Sequence, residues 1–297
     1  MERSARPSVA YQGEHGAYSE EAALTIFGDA ETVPCPNFTA AFDAVLTGQA
    51  AFATIPVENS QAGSINDTYD LLLAHRDRLT VRGEFDLHVH HCLLTLPEDD
   101  PATLHSALSH PQALAQTMGF LTQRGLKPIV SADTAGSARL VREDAMHGYA
   151  AVAGRRAAEF YNLRIVAANI EDNPYNFTKF LVLALHTTPV GPDTFALPPV
   201  NPAVTKTALI FAVDNIPGSL YRALGALAEN GLNMTKIESR PARQRPWDYN
   251  FYADVEGDAS NPHYQAALDA LAERSLFLSV LGSYHVLRSA RDVGDRG

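Results

Sequence analysis

Residues 207–239 read TALIFAVDNIPGSLYRALGALAENGLNMTKIES, and this stretch decides the C-terminal fold. Residues 207–213 are a short, nearly continuous apolar run, the length of a strand. Leu220, Leu224 and Leu227 then recur at i, i+4 and i+7, the stripe of one helix face, and Gly231 is placed to end that helix. Residues 234–239 and 249–255 read as two more strands, joined by a turn rich in Pro and Arg. Asn261 caps and Pro262 opens a second helix, whose stripe is Tyr264, Leu268 and Leu271. Residues 276–287 close the series as a strand. The order is βαββαβ, the ferredoxin-like split unit of an α+β domain.

Working outward, residues 186–205 carry Pro189, Pro192, Pro198, Pro199 and Pro202. Such density forbids a continuous helix or central strand, so the segment reads as a semi-rigid linker. Upstream, strands and helices alternate, which indicates α/β layers. Strands are expected at 9–12, 51–56, 104–109, 149–153 and 176–185. One helix is expected at 17–27, stopped by Gly28, and another near 65–75. Pro111 opens a helix with the stripe Leu114, Met118 and Leu121, ending at Gly125. Asp133 or Thr134 caps a further helix.

The 297 residues carry 23 Lys+Arg against 34 Asp+Glu, a net charge of −11. No basic cluster accompanies that acidity, which argues against a nucleic-acid partner. Apolar residues make up 46% and charged residues 19%, enough to build a core. The apolar run at 180–185 falls far short of the ~20 residues of a membrane helix. Two lone cysteines, Cys35 and Cys92, fit a reducing compartment, and no secretory segment opens the chain. No membrane partner and a cytoplasmic location are therefore expected.

Four strand-to-helix junctions are unusually polar: residues 13–19, 58–64, 109–112 and 134–137. Each sets hydroxyls, amides or free backbone N–H groups at a helix start, where an anion is welcome. Ser, Thr, Asn and Gly are also the ordinary capping residues, so any one junction alone is weak. Four together point to a cleft for a multiply charged small anion. The run His88-Val89-His90-His91 invites a metal, but no third ligand follows at metal spacing, and a structural or surface role is expected. Gly13 and Gly16 do not form a dinucleotide fingerprint, and no G-x-S-x-G elbow is present.

Six segments in order, GEHGAYSE (13–20), IPVENS (55–60), SHPQALAQ (109–116), NFTKF (176–180), PGSL (217–220) and ESRP (238–241), carry a family resemblance. The chain resembles prephenate dehydratase fused to an ACT regulatory domain, over about residues 9–287. The resemblance implies a catalytic domain of two α/β lobes, like a type II periplasmic binding protein, with substrate between them. It implies a prephenate dehydratase domain at 8–186, the linker at 187–205, an ACT domain at 206–288 and a tail at 289–297. No chorismate-mutase segment precedes residue 9, and a monofunctional chain is expected.

The implied reaction converts prephenate to phenylpyruvate with loss of carbon dioxide and water, in phenylalanine biosynthesis, with no cofactor and no metal. Helix N-termini can hold the two carboxylates of prephenate without many cations. The resemblance places the donor to the departing hydroxyl on Thr178. Asn59, Gln116, Ser109 and Glu58 are expected in the catalytic cleft, with Tyr18, Ser19, Ser137, Thr134, Asn176, Phe180 and Lys179 binding substrate. Lys179 replaces the family's Arg; strand alternation should turn it away from Thr178 into a supporting place. The ACT domain implies phenylalanine as an inhibitory ligand at Asn215, Pro217, Gly218, Ser219, Leu220, Asn233, Glu238 and Ser239. Ser219 stands where Ala is more usual. A homodimer or homotetramer is expected, because an isolated βαββαβ sheet leaves edges and a face to cover. Arogenate dehydratase and a non-catalytic aromatic-amino-acid sensor remain open as alternatives.

Overall fold

The computed structural model describes residues 6–191, 193–242 and 247–287. The expected tail at 289–297, Pro192 of the linker, and the 243–246 part of the Pro- and Arg-rich turn lie outside them. In chain order the elements begin with β1 (Ser8–Gln12), α1 (Tyr18–Phe27), β2 (Glu31–Cys35), α2 (Phe38–Leu46) and β3 (Phe52–Asn59). Next come β4 (Gly63–Ser64), α3 (Asn66–Ala74), β5 (Leu79–His88), β6 (Cys92–Thr95) and β7 (Ser106–Ser109). Then follow α4 (Pro111–Gln116), α5 (Met118–Gln123), β8 (Lys127–Val130), α6 (Thr134–Glu143) and β9 (Tyr149–Ala153). After α7 (Arg155–Phe160), β10 (Arg164–Ala168) and β11 (Phe177–Leu185) come β12 (Lys206–Ala212), α8 (Ser219–Glu229) and β13 (Met234–Pro241). The last are β14 (Tyr249–Glu256), α9 (Pro262–Glu273), β15 (Phe277–Tyr284) and β16 (Val286–Leu287).

The chain divides into two compact units, residues 1–65 with 86–180 and residues 66–85 with 181–297. The division does not follow the sequence-expected boundary near residue 186, because α3 and most of β5 group with the C-terminal residues.

The first unit holds two α/β lobes. In one, β1 lies between β2 and β3 and pairs parallel with both, with Val9 opposite Phe52 and Tyr11 opposite Thr54. Helix α1 turns Ala22, Ala23, Ile26 and Phe27 inward, and Gly28 ends it with its N–H on Leu24 O. Asn37 caps α2 by accepting from Ala40 N at 2.9 Å. The other lobe is a five-stranded sheet in the order β10-β6-β9-β7-β8. There β7 pairs parallel with β8 and β9, while β6 runs antiparallel to β9 and β10. Parallel neighbours require crossover helices, and α4 to α6 supply them.

The helix expected from Pro111 to Gly125 is two helices. Thr117 breaks it: its backbone leaves helical geometry at φ −122°, and its buried hydroxyl donates back to Ala113 O at 2.8 Å. Such back-bonding competes with the helical ladder. The break also shifts the phase, so Leu114 and Leu121 are buried but Met118 is 41% exposed.

The second unit carries the expected βαββαβ order. Its antiparallel sheet runs β13-β14-β12-β15, and α8 and α9 cover a core built on Leu209, Phe211, Leu227, Leu268 and Leu271. The single strand expected over 276–287 breaks at His285, and β16 pairs parallel with Glu84 and Phe85 of β5. The same unit binds α3 closely. Tyr252 Oη donates to Tyr69 O at 2.8 Å, Lys236 Nζ donates to Tyr69 Oη, and Arg240 meets Asp70 at 3.4 Å. No helix among the described residues is long and apolar enough to cross a membrane.

Candidate active site

The stretch 13–20 joins the two lobes of the first unit. Gly16 adopts φ +88°, and a Cβ there would come within 2.6 Å of Ala157 Cα. Glu20, 1% exposed, accepts from Gly16 N (2.8 Å), Thr32 Oγ1 (3.0 Å) and Arg156 Nε (2.9 Å), and lies 2.8 Å from His15 Nδ1. Burial alone would raise the Glu20 carboxyl; the Gly16 N–H, His15 and Arg156 outweigh it and hold it low. Glu14 accepts twice from Arg139 of α6, at 2.5 and 3.1 Å. Two acidic residues of this segment thus serve as ties.

A buried polar network lies beside this joint. Asn59, at the end of β3, shares its Nδ2 protons among Asn176 Oδ1 (2.9 Å), Phe177 O (3.1 Å) and Thr178 Oγ1 (3.0 Å). Asn59 Oδ1 accepts from Gln61 N (3.1 Å), Ala62 N (3.0 Å) and Gln112 Nε2 (3.3 Å), which fixes the amide's orientation. Thr178 Oγ1 therefore receives a hydrogen bond, and no described protein acceptor takes its own proton. Asn176 Nδ2 donates to Gln116 Oε1 (3.1 Å), which also faces His91 Nε2 (2.8 Å). On the far side of the ring, Tyr18 Oη lies 2.7 Å from His91 Nδ1. Gln116 Nε2 is buried without a partner.

His91 is 2% exposed, and burial pushes its pKa down against the opposing pull of Gln116 and Glu171. The ring is neutral at pH 7. Burial also raises the Tyr18 phenol, which stays protonated. Because a carbonyl oxygen can only accept, His91 carries its proton on Nε2 and can only accept at Nδ1.

Of the sequence-expected residues, Thr178, Asn59, Gln116, Asn176 and Tyr18 come together in this network. Others do not. Ser109 is fully buried, and its hydroxyl is taken by Val152 O at 2.6 Å. Ser137 is likewise buried and donates to Asp133 O at 2.6 Å. Phe180 is 1% exposed, a core side chain rather than a surface for a ligand. Ser19 is buried in the first turn of α1, and Thr134 follows the Asp133 cap of α6. Glu58 is half-buried on β3, opposite Ser64 of β4. Lys179 pairs with Asp86 at 3.0 Å, and Thr178 and Lys179 alternate along β11.

Sequence reasoning gave His91 only a structural or surface place within the histidine run, took Gln112 only as part of the polar junction at 109–112, and passed over Glu171. Glu171 accepts from His91 N (2.9 Å) and meets His90 Nδ1 (2.8 Å), while His88 Nε2 donates to Pro174 O (2.7 Å). The histidine run therefore anchors the 171–176 segment, and no cluster of three metal-ligating side chains occurs among the described residues. The available signal for His91 was a polar residue set between the apolar Val89 and Cys92–Leu94.

In the second unit, Gly218 holds φ +81° before α8, and Arg222 donates to Pro217 O (3.4 Å) and Ser219 Oγ (3.2 Å). Asn215 Nδ2 donates to Trp247 O at 3.2 Å, and Leu220 packs on the helix-sheet core. Asn233 is exposed and immediately precedes β13. Glu238 and Ser239 are neighbours on that edge strand, and their side chains alternate between the two faces of the sheet.

Comparison with known proteins bears on both units. Residues 9–188 match the family described as Prephenate dehydratase and residues 207–273 that described as ACT domain. The chain is 42% identical over 295 residues to arogenate dehydratase/prephenate dehydratase 2, chloroplastic, of Arabidopsis thaliana, spanning 96% of this chain and 74% of that protein. A solved structure of prephenate dehydratase in complex with L-Phe from Arthrobacter aurescens superposes with a TM-score of 0.81 at 27% identity, over 94% of this chain and 89% of that one. A second, described as GqqA, a novel type of quorum quenching acylases, gives 0.84 at 37% identity, over 96% and 99%.

Proposed function

The chain belongs to the prephenate dehydratase family, and we propose that the Asn59–Thr178–Gln116 network eliminates carbon dioxide and water from prephenate to leave phenylpyruvate. The bond from the ring to its carboxylate breaks, its electron pair enters the ring, and the C4–oxygen bond breaks on the far side. The departing hydroxyl takes up one proton overall and leaves as water. One observation carries the assignment of roles: Asn59 Nδ2 donates to Thr178 Oγ1 at 3.0 Å, so the Thr178 proton is free for the leaving oxygen. A neutral hydroxyl is a weak acid, and Thr178 acts by a directed hydrogen bond rather than as a proton reservoir. The buried Gln116 Nε2 supplies a second donor for a substrate oxygen.

The same chemistry on the amino analogue, arogenate, fits this network equally, and the Arabidopsis relative carries both names. An acylase reaction fits less well. It needs an activated nucleophile, and the buried Ser109 and Ser137 hydroxyls are committed to backbone carbonyls. Phenylalanine is the proposed ligand of the ACT unit, supported by the family match and by the L-Phe complex of the Arthrobacter relative. Its inhibitory effect would require preference for the less active of two arrangements. A homodimer or homotetramer formed through the ACT unit belongs to the same reading. It is supported by the open edges β13 and β15 and by exposed Ile216 and Tyr221.

The test is turnover of prephenate, arogenate and an N-acyl amide by the full chain and by Thr178→Val. Loss of dehydratase turnover in the variant supports the role. Acyl hydrolysis with no elimination would replace the reading.

A further inference from the structure

We infer that His91 is a positioning residue for this site: as the neutral ring protonated on Nε2, it fixes the Gln116 amide so that Nε2 of Gln116 is left to bind a substrate oxygen. The inference rests on the dehydratase reading for the identity of the substrate, but not for the state of the ring.

Two chains of donors converge on one atom. Tyr18 Oη lies 2.7 Å from His91 Nδ1 and 3.0 Å from His90 O and shares its one proton between them, because a neutral ring protonated on Nε2 can only accept at Nδ1. His91 Nε2 then donates to Gln116 Oε1 at 2.8 Å. From the other side, Asn59 Nδ2 donates to Asn176 Oδ1 (2.9 Å), and Asn176 Nδ2 donates to the same Gln116 Oε1 (3.1 Å). A flipped Gln116 amide would set its own N–H groups against two donors, so the amide has one orientation. That orientation leaves Gln116 Nε2 as a buried donor without an acceptor. Such a group is costly in an empty site and is relieved when an oxygen arrives.

Tyr18 is the part that sets direction. Its edge lies against the His91 ring, with centroids 5.6 Å apart at 77°, and against Gly154, where a Cβ would meet the Tyr18 ring at 3.0 Å. The phenol therefore cannot swing away. Glu171 holds the His91 backbone N–H at 2.9 Å and so fixes where the ring begins. Nothing in this arrangement requires His91 to touch substrate; it acts through Gln116.

Nitrogen-15 NMR of the full-length protein reads the tautomer directly. A neutral ring with the proton on Nε2 at pH 7 is expected; a proton on Nδ1, or a charged ring, would overturn the inference whatever the enzyme turns over. Kinetics then test the path. His91→Leu should lower kcat/KM by up to roughly 10²-fold, the scale of a misplaced group. The loss should vanish in a Gln116→Ala background, where there is no amide left to orient. His91→Gln, which can still present a donor near the Nε2 position, should recover part of it. Losses that multiply across the two sites would overturn the inference. Tyr18→Phe, which keeps the ring and removes only the hydroxyl, gives the same cycle if His91→Leu fails to fold. Wild-type protein inert to both prephenate and arogenate would sink the dehydratase reading alone.

Discussion

Arg156 Nε lies 2.9 Å from Glu20 Oε2, joining α7 of one lobe to α1 of the other through a carboxylate that is only 1% exposed. Glu20 belongs to one of the six segments that carry the family resemblance, so part of that signature is a joint. Burial opposes the charged form, yet the Gly16 N–H, His15 and Arg156 hold the Glu20 carboxyl below its ordinary value. A carboxyl with a lowered folded pKa stabilises fully above its unfolded value of about 4.3, and that share is lost as pH falls through the folded pKa. Urea unfolding should therefore show stability falling from about pH 5 downward. Glu20→Gln should flatten that acid limb, and an unchanged limb would place the acid sensitivity elsewhere.

Gly16→Ala should destabilise the first unit by about 2–3 kcal/mol, from left-handed backbone strain and a Cβ driven into Ala157. Denaturant midpoints measure it. A neutral result would mean that the lobes separate easily there.

Thr178→Val should lower kcat by roughly 10²–10⁴ with little change in melting temperature, because it removes the free proton and one acceptor of Asn59 Nδ2, which keeps Asn176 Oδ1 and Phe177 O. Asn59→Ala should cost less in kcat but raise KM as well, since Asn59 holds Asn176 and Thr178 together. Near-normal turnover by Thr178→Val would remove Thr178 from its role.

Lys206 Nζ meets both oxygens of Glu84 at 2.9 and 3.1 Å, and Tyr284 Oη adds a third contact at 3.3 Å. Lys206→Met should cost about 3 kcal/mol by stripping a cation from a buried carboxylate. A chain cut near residue 186 would lose Lys206 and Tyr284 together. It should give a broad, weakly cooperative melt, whereas a sharp wild-type transition would show that residues 66–85 need no C-terminal support.

Much of the fold was legible where periodicity and caps agree. The Leu220, Leu224 and Leu227 stripe and the Asn261–Pro262 start lie where the ACT helices lie. Strands β2, β5, β6, β8 and β10 were not expected. Length alone is not the reason, because the equally short β1, β7 and β9 were expected and the ten-residue β5 was not, its alternation being interrupted by Gly83. The helix break at Thr117 depends on a hydroxyl turning back on its own backbone, which apolar spacing does not record. At the site, Thr178, Asn59 and Gln116 were legible through the family's motifs. His91 was not, because its function comes from burial between Tyr18 and Gln116, residues distant in the chain. Ser109 and Ser137 read as ligand groups from their junctions, but the packing around them claims their protons.

The central claim is that the Asn59–Thr178 pair drives an elimination, and the direct measurement is product formation by purified full-length protein. Given prephenate and, separately, arogenate, the protein should release carbon dioxide in equal amount with phenylpyruvate or phenylalanine. Thr178→Val should release neither product at more than about a hundredth of that rate. Absence of both products from the wild-type protein, or their undiminished formation by the variant, would contradict the account.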